Sequence, residues 1–182
     1  TTFGGRRLDA SSGAIASTGR SLDVAVDGPG FFVVSTAGGP RYTRNGHFDL
    51  NASRQLVTED GSLVQGEGGA PITLGSGEVR IEQDGSVWAG AAQAGKIAVV
   101  EFGDPGALAQ DNGTRLSANG QAATPSTAPV VRAGSLEQSN VSVAERLAEL
   151  TTVSRGFEAL QKAISMLMND VDGRAIDHLG RR

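Results

Sequence analysis

The sequence predicts a mainly β body, built as a short-stranded sandwich or partly open barrel, followed by one long C-terminal α-helix of coiled-coil type. The first observation is compositional: residues 1–134 hold 23 of the 26 glycines and all six prolines of the 182-residue chain. Gly and Pro are frequent in turns and costly inside helices. We therefore expect two domains, a β-rich body over 1–134 with Gly/Pro turns and an amphipathic helical segment over 135–182.

The second observation is the regular occurrence of turn signals in the body. Six dipeptides combine Asn or Asp with Gly, the residues that best tolerate the positive φ of tight hairpin turns: Asp27-Gly28, Asn45-Gly46, Asp60-Gly61, Asp84-Gly85, Asn112-Gly113 and Asn119-Gly120. Short apolar or alternating runs are the expected strands: Leu22–Val26, Phe31–Ser35, Arg41–Thr43, Gln55–Thr58, Ser62–Gln65, Glu78–Glu82 and Lys96–Phe102. Such spacing is typical of an all-β unit. Residues 103–134 have a weaker pattern, and Ala122–Pro129 is expected to be an extended connector.

The third observation is a heptad pattern, which we call the helical seam. Its apolar residues recur at alternating steps of three and four: Leu150, Val153, Phe157, Leu160, Ile164, Leu167 and Val171, with Val143 and Leu147 upstream of one phase slip. This is the stripe of a helix that lies along another helix. A helix over 142–171 would be about 45 Å long at 1.5 Å per residue. The alternative is packing on its own body, but that length favours a partner beyond the body.

Composition argues against several classes of partner. The chain has 16 basic and 20 acidic residues, a net charge of −4, and no basic block that could follow a phosphate backbone. It has no apolar run near the ~18 residues that a membrane-spanning helix needs. With zero Cys, disulfides, thiolate nucleophiles and Cys-ligated metals are all excluded. We therefore expect neither nucleic-acid binding nor membrane insertion.

Candidate catalytic and metal-ligating residues are few. His47 and His178 stand far apart, and neither has a second ligand at metal spacing. Asp23 and Asp27 lack the further acidic residues of a calcium loop. Gly28-Pro29-Gly30 follows a strand, but the Phe-Phe-Val-Val run after it continues as a strand, whereas a dinucleotide-binding loop opens a helix. The sequence predicts no enzyme, no cofactor and no metal site.

Three stretches of the sequence resemble the flagellar rod and hook protein family. Leu22–Val34 is similar to the family pattern LDVAIxGxGFFxV. The stretch from Tyr42 to Gly61 resembles YTRxGxF followed by LVTxDG, although Arg54 stands where the family commonly has Gly. Leu136–Val141 is similar to the LExSNV block that opens the family's C-terminal helix. The likeness runs from about Thr18 onward, with the three blocks in the family's order.

The residues that carry the resemblance form two motifs. The body motif consists of Leu22, Asp23, Asp27, Gly28, Gly30, Phe31, Tyr42, Thr43, Arg44, Gly46 and Phe48. The motif at the opening of the helix consists of Leu136, Glu137, Ser139, Asn140 and Val141.

The resemblance implies a structural subunit of the bacterial flagellar basal-body rod. Its expected partners are copies of itself and other rod subunits, and its expected location is the periplasmic rod, reached by flagellar type III export without a cleaved signal peptide. The C-terminal helix is expected to pair with an N-terminal helix that is absent from this chain. The short body, in which Asp104–Leu108 leads to the Leu136 block without an extra insertion, is more like the proximal-rod protein (F type) than the distal-rod protein (G type).

The alternative function is a β-domain binding module for cell-wall polysaccharide, with the helix as an oligomerisation element. The all-β body and its Asp-containing turns favour it. An aromatic content of only 4% counts against it, because sugar-binding surfaces commonly stack their ligands on aromatic rings.

Overall fold

The computed structural model describes residues 12–140, 150–162 and 164–165. The chain divides into two compact units, Thr1–Asn140 and Val141–Arg182. The described part of the first unit contains sixteen short strands and one 3-10 turn, Pro105–Ala107. The strands are β1 Ile15–Ser17, β2 Val24–Val26, β3 Phe31–Thr36, β4 Gly39–Thr43, β5 Phe48–Leu50, β6 Leu56–Thr58, β7 Leu63–Val64, β8 Val79–Ile81, β9 Ser86–Ala89, β10 Ala92–Lys96, β11 Val99–Glu101, β12 Ala109–Gln110, β13 Leu116–Ser117, β14 Thr124–Pro125, β15 Val131–Ala133 and β16 Ser135–Glu137.

The strands form one large open sheet and three smaller ones. The large sheet has nine strands in the order β12-β13-β4-β3-β7-β6-β5, with β11 pairing both β3 and β14. A second sheet has the order β10-β9-β8, and two ribbons pair β1 with β16 and β2 with β15. All pairs are antiparallel. The predicted mainly β body is therefore confirmed.

Strand β3 is buried on both faces. Successive side chains of a strand point to opposite faces, and the four residues Phe31–Val34 are all buried. Phe32 and Val34 belong to one core cluster, whereas Phe31 and Val33 belong to another. This double burial explains why the sequence shows a continuous apolar run here instead of an alternating one.

The larger core cluster joins the sheets to one another. It combines side chains of the nine-stranded sheet, the three-stranded sheet, the β2–β15 ribbon and the segments between strands: Val24, Val26, Phe32, Val34, Phe48, Leu56, Val64, Ile72, Leu74, Ile81, Val87, Ala89, Ile97, Val99 and Val131. The smaller cluster covers the other face of β3 and β4 with Val100, Phe102, Leu108 and Leu116. Much of that cover comes from residues 103–134, where the sequence pattern was weak.

Three of the six predicted turns are hairpins. Asp60-Gly61 joins β6 to β7, Asp84-Gly85 joins β8 to β9, and Asn112-Gly113 joins β12 to β13, and in each case the flanking strands pair. The strands flanking the other three dipeptides pair elsewhere; β2 beside Asp27-Gly28, for example, pairs with β15. A turn residue permits a reversal of the chain, but core packing decides which strands then meet.

The first unit extends beyond the predicted boundary at 134. Strand β16 lies at 135–137, and the unit ends at Asn140. The reason is the pairing of β16 with β1, which are separated by more than a hundred residues in the sequence. Such a pairing leaves no local signal.

The described part of the second unit is helical over 150–162 and at 164–165. A C-terminal helix is thus confirmed within the described residues, and we name it α1. Its predicted extent over 142–171 and its coiled-coil type stay predictions. Of the helical seam, Val143, Leu147, Leu167 and Val171 lie outside the described residues, as do Val141 of the opening motif and His178.

Gly46 is required by a close approach between backbones. Its carbonyl accepts a hydrogen bond from the Val24 amide at 3.0 Å. A Cβ placed on Gly46 would lie 1.7 Å from the carbonyl oxygen of Val24 and 3.0 Å from the Phe32 ring. No side chain fits there without a shift of the backbone.

We predict that Gly46→Ala lowers the free energy of unfolding by about 1–3 kcal/mol, the usual cost of overpacking a core. Urea unfolding followed by the fluorescence of Trp88 measures it. Gly103→Ala is the matched control, since a Cβ on Gly103 meets no atom within 4 Å. Equal losses in the two variants would contradict the assignment.

Arg54, in the turn between β5 and β6, adopts a backbone conformation that favours Gly, the residue that the family pattern commonly has at this position. Its φ is 56°, in the left-handed region. The side chain offsets this strain by reaching the next segment of the chain, where Nε donates to the Leu74 carbonyl at 3.2 Å and Nη2 donates to the Gly75 carbonyl. Arg54 thus combines a backbone conformation that favours Gly with side-chain contacts that Gly could not make.

We predict that Arg54→Ala is less stable than Arg54→Gly by about 1 kcal/mol, because only Gly adopts positive φ without the clash of Cβ. Both variants lose the same side-chain hydrogen bonds, so the difference isolates the backbone. At the neighbouring Ser53, which has no positive φ, the order should reverse, since Ala restricts the unfolded chain more than Gly does. Equilibrium unfolding of the four variants tests both signs.

Candidate assembly site

The first and the last described strands of the first unit form one two-stranded ribbon. In the pairing of β1 with β16, Ile15 lies opposite Glu137 and Ser17 opposite Ser135. Further hydrogen bonds extend the ribbon in both directions, from the Thr18 amide to the Gly134 carbonyl (2.7 Å) and from the Gln138 amide to the Ala14 carbonyl (2.8 Å). Because the strands are antiparallel, the segment before β1 and the segment after β16 meet at the same end of the ribbon.

Arg44 ties this ribbon to the loop that precedes β3. Its Nε donates to Glu137 Oε2 at 2.7 Å, and Nη1 donates to the Gly30 carbonyl at 2.9 Å. Nη2 donates to the Gly28 carbonyl and to Ser12 Oγ, both at 3.0 Å. The guanidinium carbon lies 5.6 Å from the centre of the Phe31 ring, within the range of a cation–π contact.

The three sequence blocks that carry the family resemblance meet at this point. Gly28, Gly30 and Phe31 come from the first block, Arg44 from the second and Glu137 from the third. The structure therefore gives a shared physical reason for blocks that are remote in the sequence. Glu137 and Leu136 lie in strand β16, so their described role is in the ribbon, while Ser139 and Asn140 follow it.

A second polar cluster surrounds Asp23, whose side chain is buried within the body. Its carboxylate accepts hydrogen bonds from Thr18 Oγ1 at 2.6 Å and lies 2.8 Å from His47 Nδ1. Arg20 Nη1 lies 2.9 Å from His47 Nε2, and Arg20 Nη2 pairs with Asp49 at 2.8 Å. Since Arg20 can only donate, this geometry fits a ring that carries its proton on Nδ1. His47 thus links Asp23 to Arg20.

The remaining residues of the body motif have structural roles. The ring of Tyr42 packs edge-on against Phe102 at 4.8 Å, and Phe48 packs edge-on against Phe32 at 5.2 Å. Thr43 Oγ1 donates to the Thr114 carbonyl at 3.1 Å. Leu22 packs against the larger core cluster, and Asp27 pairs with Arg132.

Helix α1 presents the described part of the helical seam to solvent. Its five apolar side chains have exposed fractions between 50% and 70%: Leu150, Val153, Phe157, Leu160 and Ile164. In the described residues, the one other large apolar side chain with comparable exposure is Val130. Exposed apolar patches of this kind commonly mark interaction surfaces.

Within residues 12–140, 150–162 and 164–165, no group of three or more His, Asp or Glu side chains is arranged to hold a metal ion. In that same part of the chain, no helix is long and apolar enough to cross a membrane.

Comparison with known proteins gives matches over most of the chain. Residues 25–89 match the model of the flagellar hook protein FlgE/F/G D1 domain, and residues 132–170 match that of the flagellar basal body rod FlgEFG protein C-terminal region. The flagellar basal-body rod protein FlgF of Caulobacter vibrioides is 34% identical over 94% of this chain and 71% of its own length. FlgF of Rhizobium meliloti is 34% identical over 95% and 73%, respectively. FlgG of Bacillus subtilis is 34% identical over 85% of this chain and 64% of its own length.

The fold and the matched segments define a structural protein of the bacterial flagellum. The chain belongs to the flagellar basal-body rod protein family, with F-type relatives first and G-type relatives second. This confirms the predicted resemblance and the prediction that the chain is not an enzyme. Membership also points to the flagellar basal body as its location.

The three blocks could be identified from the sequence, but their contact at Arg44 could not. The pairing of β1 with β16 and the contact between Arg44 and Glu137 join residues on opposite sides of the body sequence. The one available signal was the opposite charge of Arg44 and Glu137, which lie in different blocks.

Asp60, in the second block, closes the turn between β6 and β7. Its carboxylate accepts hydrogen bonds from Thr58 Oγ1 at 2.6 Å and Ser62 Oγ at 2.9 Å, and it pairs with Arg115. The Thr58 hydroxyl first, and then Ser62 and Arg115, lower the pKa of Asp60 below its ordinary value of 3.8. The carboxylate therefore stabilises the folded body above pH 3.8, and that contribution is lost as the pH falls through the lower folded-state pKa.

We predict that Thr58→Val raises the pKa of Asp60 back towards 3.8, because it removes the hydroxyl that contributes most. A carboxyl titration of Asp60 by NMR in both proteins measures this shift. The pH dependence of stability in acid should also become shallower in Asp60→Asn. An Asp60 in the unmodified protein that titrates at or above 3.8 would contradict the interpretation.

Proposed function

We propose that this protein is a structural subunit of the flagellar rod that assembles through its C-terminal helix. The observation that carries the proposal is the helical seam, which lies on an exposed helix in a chain of the rod protein family. Alternating steps of three and four place these side chains on one stripe, which a second helix can cover by coiled-coil packing. Other rod subunits and copies of this chain are the proposed partners.

Burial of the seam side chains supplies the free energy of the proposed association. Leu150, Val153, Phe157, Leu160 and Ile164 are all mostly exposed in the single chain. Full burial of one aliphatic or Phe side chain contributes about 1.5–3 kcal/mol. Several such residues on each of two helices supply enough free energy to offset the loss of rotational and translational freedom on association.

We further propose that the β body acts as a rigid spacer outside the helical contacts, through which the rod transmits torque from motor to hook. Two core clusters and a central strand, β3, that is buried on both faces support this role. A helical polymer with non-closing contacts requires a self-associating element and a spacer, and it requires no catalytic pocket. Export without a cleaved signal and location in the periplasmic rod are part of the same proposal.

The ribbon also supports pairing with an N-terminal helix. Because β1 and β16 are antiparallel neighbours, a helical segment that precedes β1 would end beside the start of the segment that follows β16. We propose that such an N-terminal helix is one partner of the seam.

We predict that the double variant Leu160→Asp/Ile164→Asp fails to enter the rod and abolishes motility, because it places two carboxylates in the middle of the seam. The body should keep the unfolding midpoint of the unmodified protein. Co-purification with isolated basal bodies and a swimming assay measure assembly.

The matched control is Ala159→Asp/Ser165→Asp, which adds the same charge to α1 away from the stripe. It should assemble and swim normally. Normal motility of the seam variant, or equal loss in both variants, would overturn the proposed function.

A further inference from the structure

The contact between Arg44 and Glu137 differs from the other ion pairs of the described body. The side chains are 14% and 8% exposed, respectively, whereas those of Arg132 and Asp27 are 59% and 40% exposed. Exposed pairs contribute little to stability, but removal of one partner from a buried pair is costly because it leaves an uncompensated charge. The loss of either Arg44 or Glu137 is therefore costly, and the pair strongly constrains the two backbone segments that carry these residues.

Both oxygens of Glu137 are engaged. Oε2 accepts from Arg44 Nε at 2.7 Å, and Oε1 accepts from the backbone amide of Gly13 at 2.7 Å. The carboxylate of Glu137, in strand β16, thus binds the segment just before β1 through the amide of Gly13. It is in turn bound by Arg44 of the body. One side chain joins three parts of the structure.

Gly13 completes this arrangement by allowing the strands to approach. A Cβ on Gly13 would lie 1.8 Å from the carbonyl oxygen of Gln138. A slip of the ribbon by one residue would turn Glu137 to the opposite face, away from Arg44. It would also move a side chain into the space that Gly13 leaves open. The observed register is therefore favoured by charge and by steric fit together.

We infer that Arg44, Glu137 and Gly13 form a register lock, which fixes how strand β1 is aligned with strand β16. This inference rests on the proposed function, because the alignment of the two strands sets where the segment before β1 ends relative to the start of the segment after β16. Arg44 is then a positioning residue for assembly. It acts through the ribbon.

The fork of the Arg side chain is necessary for this role. Its three nitrogens reach a carboxylate, the carbonyls of Gly28 and Gly30, and a hydroxyl, in different directions. A Lys ammonium keeps the charge but is a single point donor that cannot span these acceptors. Arg44→Lys therefore separates the geometry of the lock from its charge.

The first test is hydrogen–deuterium exchange of Arg44→Lys, Glu137→Gln and Gly13→Ala. We expect the amides of Thr18 and Gln138, which bond across the ribbon, to exchange at least about tenfold faster, as the local opening free energy falls. Core amides such as that of Val34 should exchange as in the unmodified protein. The three variants perturb the lock in different ways, and Glu137→Gln is isosteric with the original residue. The test therefore does not depend on the folding of any single variant.

Arg132→Lys and Gly68→Ala are the matched controls. Arg132 pairs with Asp27 at the surface, and a Cβ on Gly68 meets no atom within 4 Å. Neither control should change exchange in the ribbon. Unchanged exchange in all three lock variants, or equal acceleration in the controls, would overturn the lock itself.

The second test is incorporation of the same variants into rods in cells. Faster ribbon exchange together with reduced incorporation supports the positioning role. Faster exchange with normal incorporation overturns it while leaving the seam proposal intact, because that proposal is tested separately by Leu160→Asp/Ile164→Asp. The effects of Arg44→Lys and Glu137→Gln on exchange should be less than multiplicative in the double variant, since the two variants share the loss of the contact between Arg44 and Glu137.

Discussion

The architecture of the body depends on one strand that is apolar on both faces. Strand β3 cannot lie at the surface, because either face would expose two large apolar side chains. It therefore requires a covering layer on each side. The larger core cluster supplies one layer from three sheets, and the segment after β11 supplies the other with Phe102, Leu108 and Leu116. Short strands of two to six residues, none stable alone, are held together by their shared contact with β3 and its neighbours.

The burial of β3 also positions the candidate assembly site. The strand begins at Phe31, whose ring packs on Phe102 in one direction and faces Arg44 in the other. The loop just before it turns two carbonyls, those of Gly28 and Gly30, towards the same guanidinium. Contacts with Phe31 and with the loop before it thus hold Arg44 in place, and its Nε donates a hydrogen bond to Glu137 in strand β16. Packing against the core is in this way continuous as far as the ribbon of β1 and β16.

The sequence could predict the local features of this fold and few of the remote ones. The run at Leu22–Val26 contains strand β2, and the run at Phe31–Ser35 covers all but the last residue of β3, because apolar patterning is a local signal. Turn chemistry identified the hairpins at Asp60, Asp84 and Asn112, where adjacent strands pair. It could not identify the ribbon of β1 and β16, whose partners are remote in the chain and whose residues are half polar. Likewise, the family blocks named Arg44 and Glu137 separately, but only long-range pairing brings them together.

The two units differ in what they leave available for contact. In residues 12–140, every Lys and Arg has a hydrogen-bond or ion-pair partner within the chain: Arg20, Arg41, Arg44, Arg54, Arg80, Lys96, Arg115 and Arg132. The large apolar side chains of that unit are mostly in its two clusters, with Val130 the exposed exception. The described part of α1 has the opposite character, since its apolar stripe is exposed throughout. Association driven by apolar burial therefore favours the exposed stripe of the helix over the surface of the body.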